Sequence, residues 1–194
     1  MPPQITFTKE SIIDAAFEIY KDGGIENIKI RKVAAKLGSS IAPIYSNFKN
    51  IDEVKKCVME KALHILIQYT EREYSPNTFL NIGLGLLNFA KDYSALYKEL
   101  FINSNEYSYL ADEFFATNLE HMRKDSMLKG LSDEEMKRIL EKIRLFTHGL
   151  AALICSGSMQ GKSDEYICRL LKEAGEDVVG YTIYKKKKVG IVYE

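Results

Sequence analysis

No tryptophan occurs among the 194 residues, and only four are proline and three cysteine. With proline so sparse, long helices go uninterrupted. The cysteines (Cys57, Cys155 and Cys168) are odd in number and show no C-x-x-C spacing. A disulfide framework is therefore not expected, and reduced thiols in a cytoplasmic setting are the simpler reading. Net charge is also missing, 27 Lys or Arg standing against 27 Asp or Glu. Long apolar runs are absent. The longest uncharged stretches, Tyr74–Ala90 and Leu145–Gly161, are shorter than a bilayer span and contain polar residues. Met1–Glu10 has no apolar core of the kind a secretory signal needs. A soluble cytoplasmic protein with no membrane partner is expected. Strand-like alternation is confined to a weak Val189–Tyr193 tail.

What is present is helical periodicity with a start or stop signal at nearly every boundary. Thr8 caps a first helix reaching Asp22, with Ile12, Ala16, Phe17 and Tyr20 inward and Gly23-Gly24 after it. Ile30, Val33, Ala34 and Leu37 mark a short second helix. Gly38 follows where positive φ is wanted, and Ser39-Ser40 precede a third helix, about Ile41–Ser46, that holds Pro43 in its first turn. Asn50-Ile51-Asp52-Glu53 resembles a capping box before a helix to Glu73, and Ser75-Pro76 reads as the cap of a fifth. Residues Ser94–Asn103 and Glu106–Lys129 continue the helical pattern. Ser132-Asp133-Glu134-Glu135 is a capping box, and Ser163 caps a last helix. The fold expected is all-α, with about nine helices.

Charge is uneven although its sum is zero. From Lys29 to Lys49 there are five basic residues (Lys29, Arg31, Lys32, Lys36, Lys49) and no acidic one. Such a patch on a neutral chain suits a protein that touches phosphate with one small surface, or else a solvated helix face. Two short helices joined through Gly38 form a helix-turn-helix, whose second helix would enter a major groove. Ser39, Ser40, Ile41, Ala42, Tyr45, Ser46 and Asn47 would then lie nearest DNA.

The run Ile30-Arg31-Lys32-Val33-Ala34-Ala35-Lys36-Leu37-Gly38, continued by Ser39-Ser40-Ile41-Ala42-Pro43-Ile44-Tyr45-Ser46-Asn47-Phe48-Lys49-Asn50, resembles the N-terminal domain of the TetR family of repressors. Arg31, Ala34, Gly38, Ser40, Tyr45, Phe48, Lys49 and Glu53 carry the likeness, which is close over about the first 60 residues. The resemblance implies that Tyr45, Lys49 and Ser40 contact backbone phosphates. Base reading would fall to Ile41 and Ala42, with Ser39, Ser46 and Asn47 as further candidates, so contact with thymine methyls is favoured over guanine recognition. Lys29, Arg31 and Pro43 complete the expected DNA-facing set. Three positions depart from the family pattern: Lys29 stands at a usual Ser/Thr cap, Ile41 at a common Lys, and Pro43 where Gly or Thr is frequent.

The resemblance further implies a DNA-binding domain over 1–50 and a ligand-sensing, dimerising domain over 51–194. The helices near Ser132–Gly157 and Ser163–Lys186 would pair with their twins in a homodimer on a palindromic operator. A small-molecule effector would enter a pocket among the middle helices. Candidates are Tyr69, Phe89, Tyr93, Tyr97, Phe101, Phe114, Phe115, His121, Met122, Phe146 and His148, of which about a third would face a cavity and the rest form ordinary core. The expected function is a ligand-released repressor; a helical adaptor without sequence-specific DNA binding is the alternative. Enzymatic signals are weak: His64, His121 and His148 lie far apart, with neither His-Glu-x-x-His nor Gly-x-Ser-x-Gly. No metal or cofactor is expected. Lys185–Lys188 fits a solvated helix end, or, in the adaptor reading, a contact with anionic lipid.

Overall fold

The computed structural model describes residues 7–103 and 106–191. Among them are nine α-helices and no strand: α1 Lys9–Gly23, α2 Ile30–Lys36, α3 Ala42–Asn47, α4 Ile51–Thr70, α5 Thr78–Asp92, α6 Ser94–Lys98, α7 Ser108–Lys124, α8 Asp133–Cys155 and α9 Asp164–Ile191. The all-α expectation holds. The tail from Val189 is helical as far as Ile191, because α9 continues through it, and its remainder lies outside the described residues.

Local chemistry accounts for most boundaries. Thr8 accepts the Ser11 amide hydrogen through Oγ1 at 3.2 Å, which starts α1. Ser132 and Glu135 form the reciprocal capping box: Glu135 N donates to Ser132 Oγ at 3.2 Å, and Ser132 N donates to Glu135 Oε2 at 2.7 Å. At α4, Asn50 Oδ1 accepts from Glu53 N at 2.9 Å, but the Glu53 carboxylate takes the Lys49 amide at 2.7 Å, one residue before the position a capping box would use.

Several boundaries differ from the sequence expectation: α4 ends at Thr70 and not Glu73, α7 starts at Ser108 and not Glu106, and two further differences have a tertiary cause. Helix α5 is capped by Asn77, whose Oδ1 accepts from Leu80 N at 2.9 Å, and not by Ser75. Ser75 is held instead by the buried Asn81, which accepts both its amide and hydroxyl hydrogens and donates back to its carbonyl. Helix α7 ends at Lys124 and not Lys129, because Asp125 turns into the fold. Its carboxylate accepts from Phe79 N at 3.1 Å, in the first turn of α5, where a helix terminus favours negative charge.

The chain separates into two compact units, Met1–Ile65 with Ala95–Leu110, and Leu66–Ser94 with Ala111–Glu194. The core of the first contains Ile12, Ala16, Phe17 and Tyr20 of α1, Val33 and Ala34 of α2, Ile44 of α3, Phe48, and Leu96, Tyr97 and Leu100. Tyr20 is buried and donates its hydroxyl hydrogen to the Ala95 carbonyl at 2.9 Å; burial, then Glu99, raises its pKa well above the usual tyrosine range.

In the second unit α5 is buried almost all round and packs against α8 and α9, which also pack on each other. Leu119, Met122, Leu128, Met136, Ile139, Leu140 and Ile143 form one continuous apolar cluster. Gly85 is required by this packing. A Cβ there would stand 2.5 Å from both Thr70 Cα and the Tyr69 carbonyl oxygen, so only glycine lets α5 pass so close to the end of α4.

Candidate functional site

Helices α2 and α3 are joined by a turn whose geometry follows from one residue. Gly38 has φ +64°, Ser39 N donates to the Ala34 carbonyl at 2.9 Å, and Gly38 N donates to the Ala35 carbonyl at 3.1 Å. This is the Schellman arrangement, in which a left-handed residue lets the chain double back onto its last open carbonyls. Ile41 then adopts helical angles, its carbonyl accepts from Ile44 N at 3.1 Å, and Ser40 Oγ accepts weakly from Ala42 N at 3.4 Å. Pro43 falls in the first turn, where its missing N–H leaves no acceptor empty.

Ile44 and Phe48 anchor α3 in the core, and the helix therefore presents its other side outward. Tyr45 is 54% and Ile41 46% exposed, and Ser40, Ala42, Ser46, Lys49, Lys29 and Arg31 are exposed as well. Ser39, Pro43 and Asn47 are half-buried. Among the described residues Lys29, Arg31, Lys36 and Lys49 have no ion-pair partner, while Lys32 donates to Asn27 Oδ1 at 2.7 Å. The surface that α2 and α3 form is thus basic, free of carboxylates along its own stretch, and carries a projecting tyrosine.

The polar side chains of α3 are partly turned back on their own backbone. Ser46 Oγ donates to the Ala42 carbonyl at 3.0 Å, and Ser39 Oγ to the Ser40 carbonyl at 2.9 Å. Asn47 donates its amide hydrogens to the carbonyls of Pro43 at 2.8 Å and Phe7 at 3.3 Å. What α3 offers outward without rearrangement is therefore Ile41, Ala42 and the Tyr45 ring.

The residues expected around a pocket scatter. Tyr69, Phe89 and Tyr93 meet in one cluster, with ring centroids 5.9, 6.1 and 5.5 Å apart pairwise. Tyr97 and Phe101 pair at 5.3 Å in the first unit. Phe114 is buried, Met122 belongs to the α7–α8 apolar cluster, and Phe115 packs against that cluster with the Arg144 guanidinium 4.9 Å from its ring. His121 sits at the edge of an open cleft with Thr70, Tyr74 and Lys124. Phe146 is on the surface. His148 is half-buried, and burial, with Arg144 adding to it, lowers its pKa to about 4.

The second unit does contain an apolar cavity of ≈ 250 Å³, between α5, α8 and α9. None of those eleven residues lines it; Phe79, Gly83, Ile143, Leu171, Gly175 and Val179 do. None of these six was singled out as a pocket position in the sequence. The available signal was Gly175, together with Gly180, inside an otherwise regular helical pattern.

On α8 and α9 several large apolar side chains face outward: Leu145 is 67% exposed, Leu153 45%, Tyr181 59% and Tyr184 54%. Gly149 and Ala152 lie beside them on α8 and are also exposed. No group of three or more His, Cys, Asp or Glu side chains among the described residues could hold a metal ion, and no described helix is long and apolar enough to cross a membrane.

This all-helical architecture, with a short helix-turn-helix near its start, is the fold of TetR-type repressors. Across 92% of this chain and 90% of the other, it is similar to SmeT, the repressor of the Stenotrophomonas maltophilia multidrug efflux pump SmeDEF, at 17% identity and a TM-score of 0.55. It is likewise similar to TetR-Q116A from Acinetobacter baumannii AYE, solved in complex with minocycline, at 14% identity, TM-score 0.55, over 90% of this chain and 96% of that one. In sequence it resembles an HTH-type transcriptional regulator of Staphylococcus aureus (strain MRSA252), 24% identical over 112 residues. That match spans 55% of this chain and 60% of the relative's length. No family model matches the chain.

Proposed function

We propose that this protein is a TetR-type, ligand-responsive transcriptional repressor that binds a palindromic operator as a homodimer in the cytoplasm. The observation that carries this reading is the outward face of α3: Tyr45 and Ile41 stand exposed beside a basic stretch without carboxylates, on a helix held by a Gly38 turn. A core tyrosine would be buried with its hydroxyl paired; one held out on the second helix of a helix-turn-helix suits a phosphate contact.

In this reading residues 1–50 are the DNA-binding head and 51–194 the sensing and dimerising body. Tyr45, Lys49 and Ser40 hold phosphates and set the register, with Lys29 and Arg31 adding charge. Ile41 and Ala42 meet thymine methyls in the major groove. The exposed apolar side chains of α8 and α9 supply the two-fold interface, so that two heads reach successive major grooves about 34–36 Å apart. A small molecule bound in the body favours a conformation with α4 displaced and the heads spread, which it can do only by binding that state more tightly.

The test is binding to the DNA upstream of the protein's own gene. Saturable, salt-dependent binding is expected, lost in Tyr45→Ala and in Lys49→Ala while circular dichroism stays unchanged. Binding that survived both substitutions would refute this docking.

A further inference from the structure

Several cations of α8 and α9 are matched to carboxylates about one turn away. Lys137 pairs with Glu134 at 3.3 Å, Arg169 with Glu173 at 3.9 Å and Lys172 with Glu176 at 3.8 Å. Arg138, Lys142 and Lys185 are not. Among the described residues these three make no ion pair, and they stand together on the two walls of one cleft of ≈ 400 Å³ between α8 and α9. Glu135, Tyr181, Thr182 and Lys186 complete its lining.

The carboxylates near this cleft are engaged elsewhere. Glu135 accepts from Ser132 N at 2.7 Å and from Lys186 Nζ at 3.0 Å, so it offsets Lys186 and leaves three positive charges uncompensated. Glu134 is turned to Lys137. Glu141 and Asp177, the next carboxylates along either helix, pair with none of the three. The Lys142 ammonium instead lies 5.8 Å from the centroid of the Tyr181 ring, which draws it across towards α9.

Left empty, such a cluster costs stability. Arg138 and Lys142 are four residues apart on one helix, a spacing at which like charges repel, and Lys185 adds a third charge from the facing helix. Within the protomer nothing offsets that repulsion. A cleft lined by one sign of charge concentrates its field on a counter-ion. The guanidinium of Arg138 is a planar fork that matches two oxygens of a phosphate, and lysines add point charges around it. No residue of this cleft lines the apolar cavity between α5, α8 and α9.

We propose that this cleft binds a phosphate group carrying two negative charges, presented by a soluble phosphate ester or by a lipid headgroup. Arg138 takes two of its oxygens, and Lys142 and Lys185 close on the others. The ≈ 400 Å³ of the cleft leaves room for the group to which the phosphate is attached. Arg138 and Lys142 precede Leu145, Gly149 and Leu153 on α8, so the cleft lies beyond that exposed apolar stretch, with Tyr181 at the border. The site does not depend on the repressor reading.

The test uses the full-length protein without DNA. Isothermal titration with inorganic phosphate, against sodium chloride of equal ionic strength, reads the soluble source. Flotation with phosphatidylcholine vesicles, with and without phosphatidic acid, reads the lipid source. Saturable binding is expected in at least one arm, which identifies the source, and it should weaken as salt rises. Arg138→Gln and Lys142→Gln should each weaken it about fivefold. Neither should lower Tm, since each removes a repelling charge and breaks no ion pair. Lys172→Gln, an equal loss of charge on α9, should leave binding unchanged. Binding in neither arm, or undiminished binding in both cleft variants, overturns the site. An equal loss in Lys172→Gln attributes the effect to overall charge and overturns it too. Dissociation of a parent dimer by Arg138→Gln, with no phosphate bound in either arm, assigns the cations to an interface between copies and is equally fatal. Operator binding bears on the repressor reading alone, and phosphate binding on the cleft alone.

Discussion

Tyr69 donates its hydroxyl hydrogen to Asp92 Oδ2 at 2.7 Å, while the Arg72 guanidinium lies 3.7 Å from the Tyr69 ring centroid. The last turn of α4 is thereby tied to the last turn of α5, and Phe89 and Tyr93 pack edge-on against the same ring. Burial first, then the Asp92 hydrogen bond, raises the Tyr69 pKa to about 12. Tyr69→Phe should cost about 1 kcal/mol, since Asp92 stays in water when the bond is lost. For a chain this size that lowers Tm by about 2–4 °C. Its folded-state pKa lies above the ordinary tyrosine value of about 10, so the contribution is whole below that pH and fades as pH rises towards 12. Chemical denaturation across that range should show stability falling, and falling less in Tyr69→Phe.

Gly85 and Gly149 should respond oppositely to the same substitution. Gly85→Ala drives a methyl into the backbone of Tyr69 and Thr70, and should cost about 3 kcal/mol, at the upper end of overpacking penalties. Gly149→Ala meets nothing within the protomer and removes a helix-interior glycine, so stability should stay level or rise by up to about 1 kcal/mol. Urea midpoints of the two variants decide this; equal effects would contradict the packing of α5 described here.

The exposed apolar face of α8 bears on assembly. Leu145→Glu combined with Leu153→Glu should move the protein from dimer to monomer in analytical ultracentrifugation, with unchanged helical content. Operator affinity should fall with it, because a monomer engages one half-site. A parent protein that is monomeric at micromolar concentration would refute the interface outright.

Acid should destabilise the second unit in two stages. Burial, with Arg144 adding to it, lowers the His148 pKa to about 4, below the ordinary value of about 6.5. The unfolded chain therefore takes up a proton first, and stability falls as pH drops from about 6.5 to about 4. Glu135 is held below its ordinary value by the Ser132 amide first and then by Lys186, so its contribution is present above the unfolded pKa and is lost at still lower pH. His148→Gln should flatten the first stage and leave the second. Ser132→Ala, which removes the hydroxyl half of the cap, should cost about 1 kcal/mol at neutral pH.

Salt should report the phosphate contacts one by one. Lys29→Ala, which removes one flanking charge and should leave binding measurable, should reduce the slope of log K against log salt by about 0.9, the value for one lost contact. Tyr45→Phe, which removes only a neutral hydroxyl, should weaken binding with the slope unchanged. Ile41→Ala should instead change the ranking of operator variants at A·T positions.

The features legible in the sequence are those that depend on a few neighbouring residues. Gly38 marks the turn because a left-handed residue is needed there whatever surrounds it, and Ser132 with Glu135 closes a box within one helical turn. The exposed face of α3 could also be read, since Ile44 and Phe48 bury one side and leave Ile41 and Tyr45 on the other. Tertiary structure decided the rest. Asn81 reaches back to Ser75 and leaves the α5 cap to Asn77, and Asp125 leaves its helix for the amide of Phe79. Of the aromatic residues expected around a pocket, Tyr69, Phe89 and Tyr93 packed against one another and Phe146 went to the surface, while a cavity formed among α5, α8 and α9 instead. Caps and turns are set by bonds between near neighbours; cavities depend on how three helices meet, and no single helix records that meeting in its own periodicity.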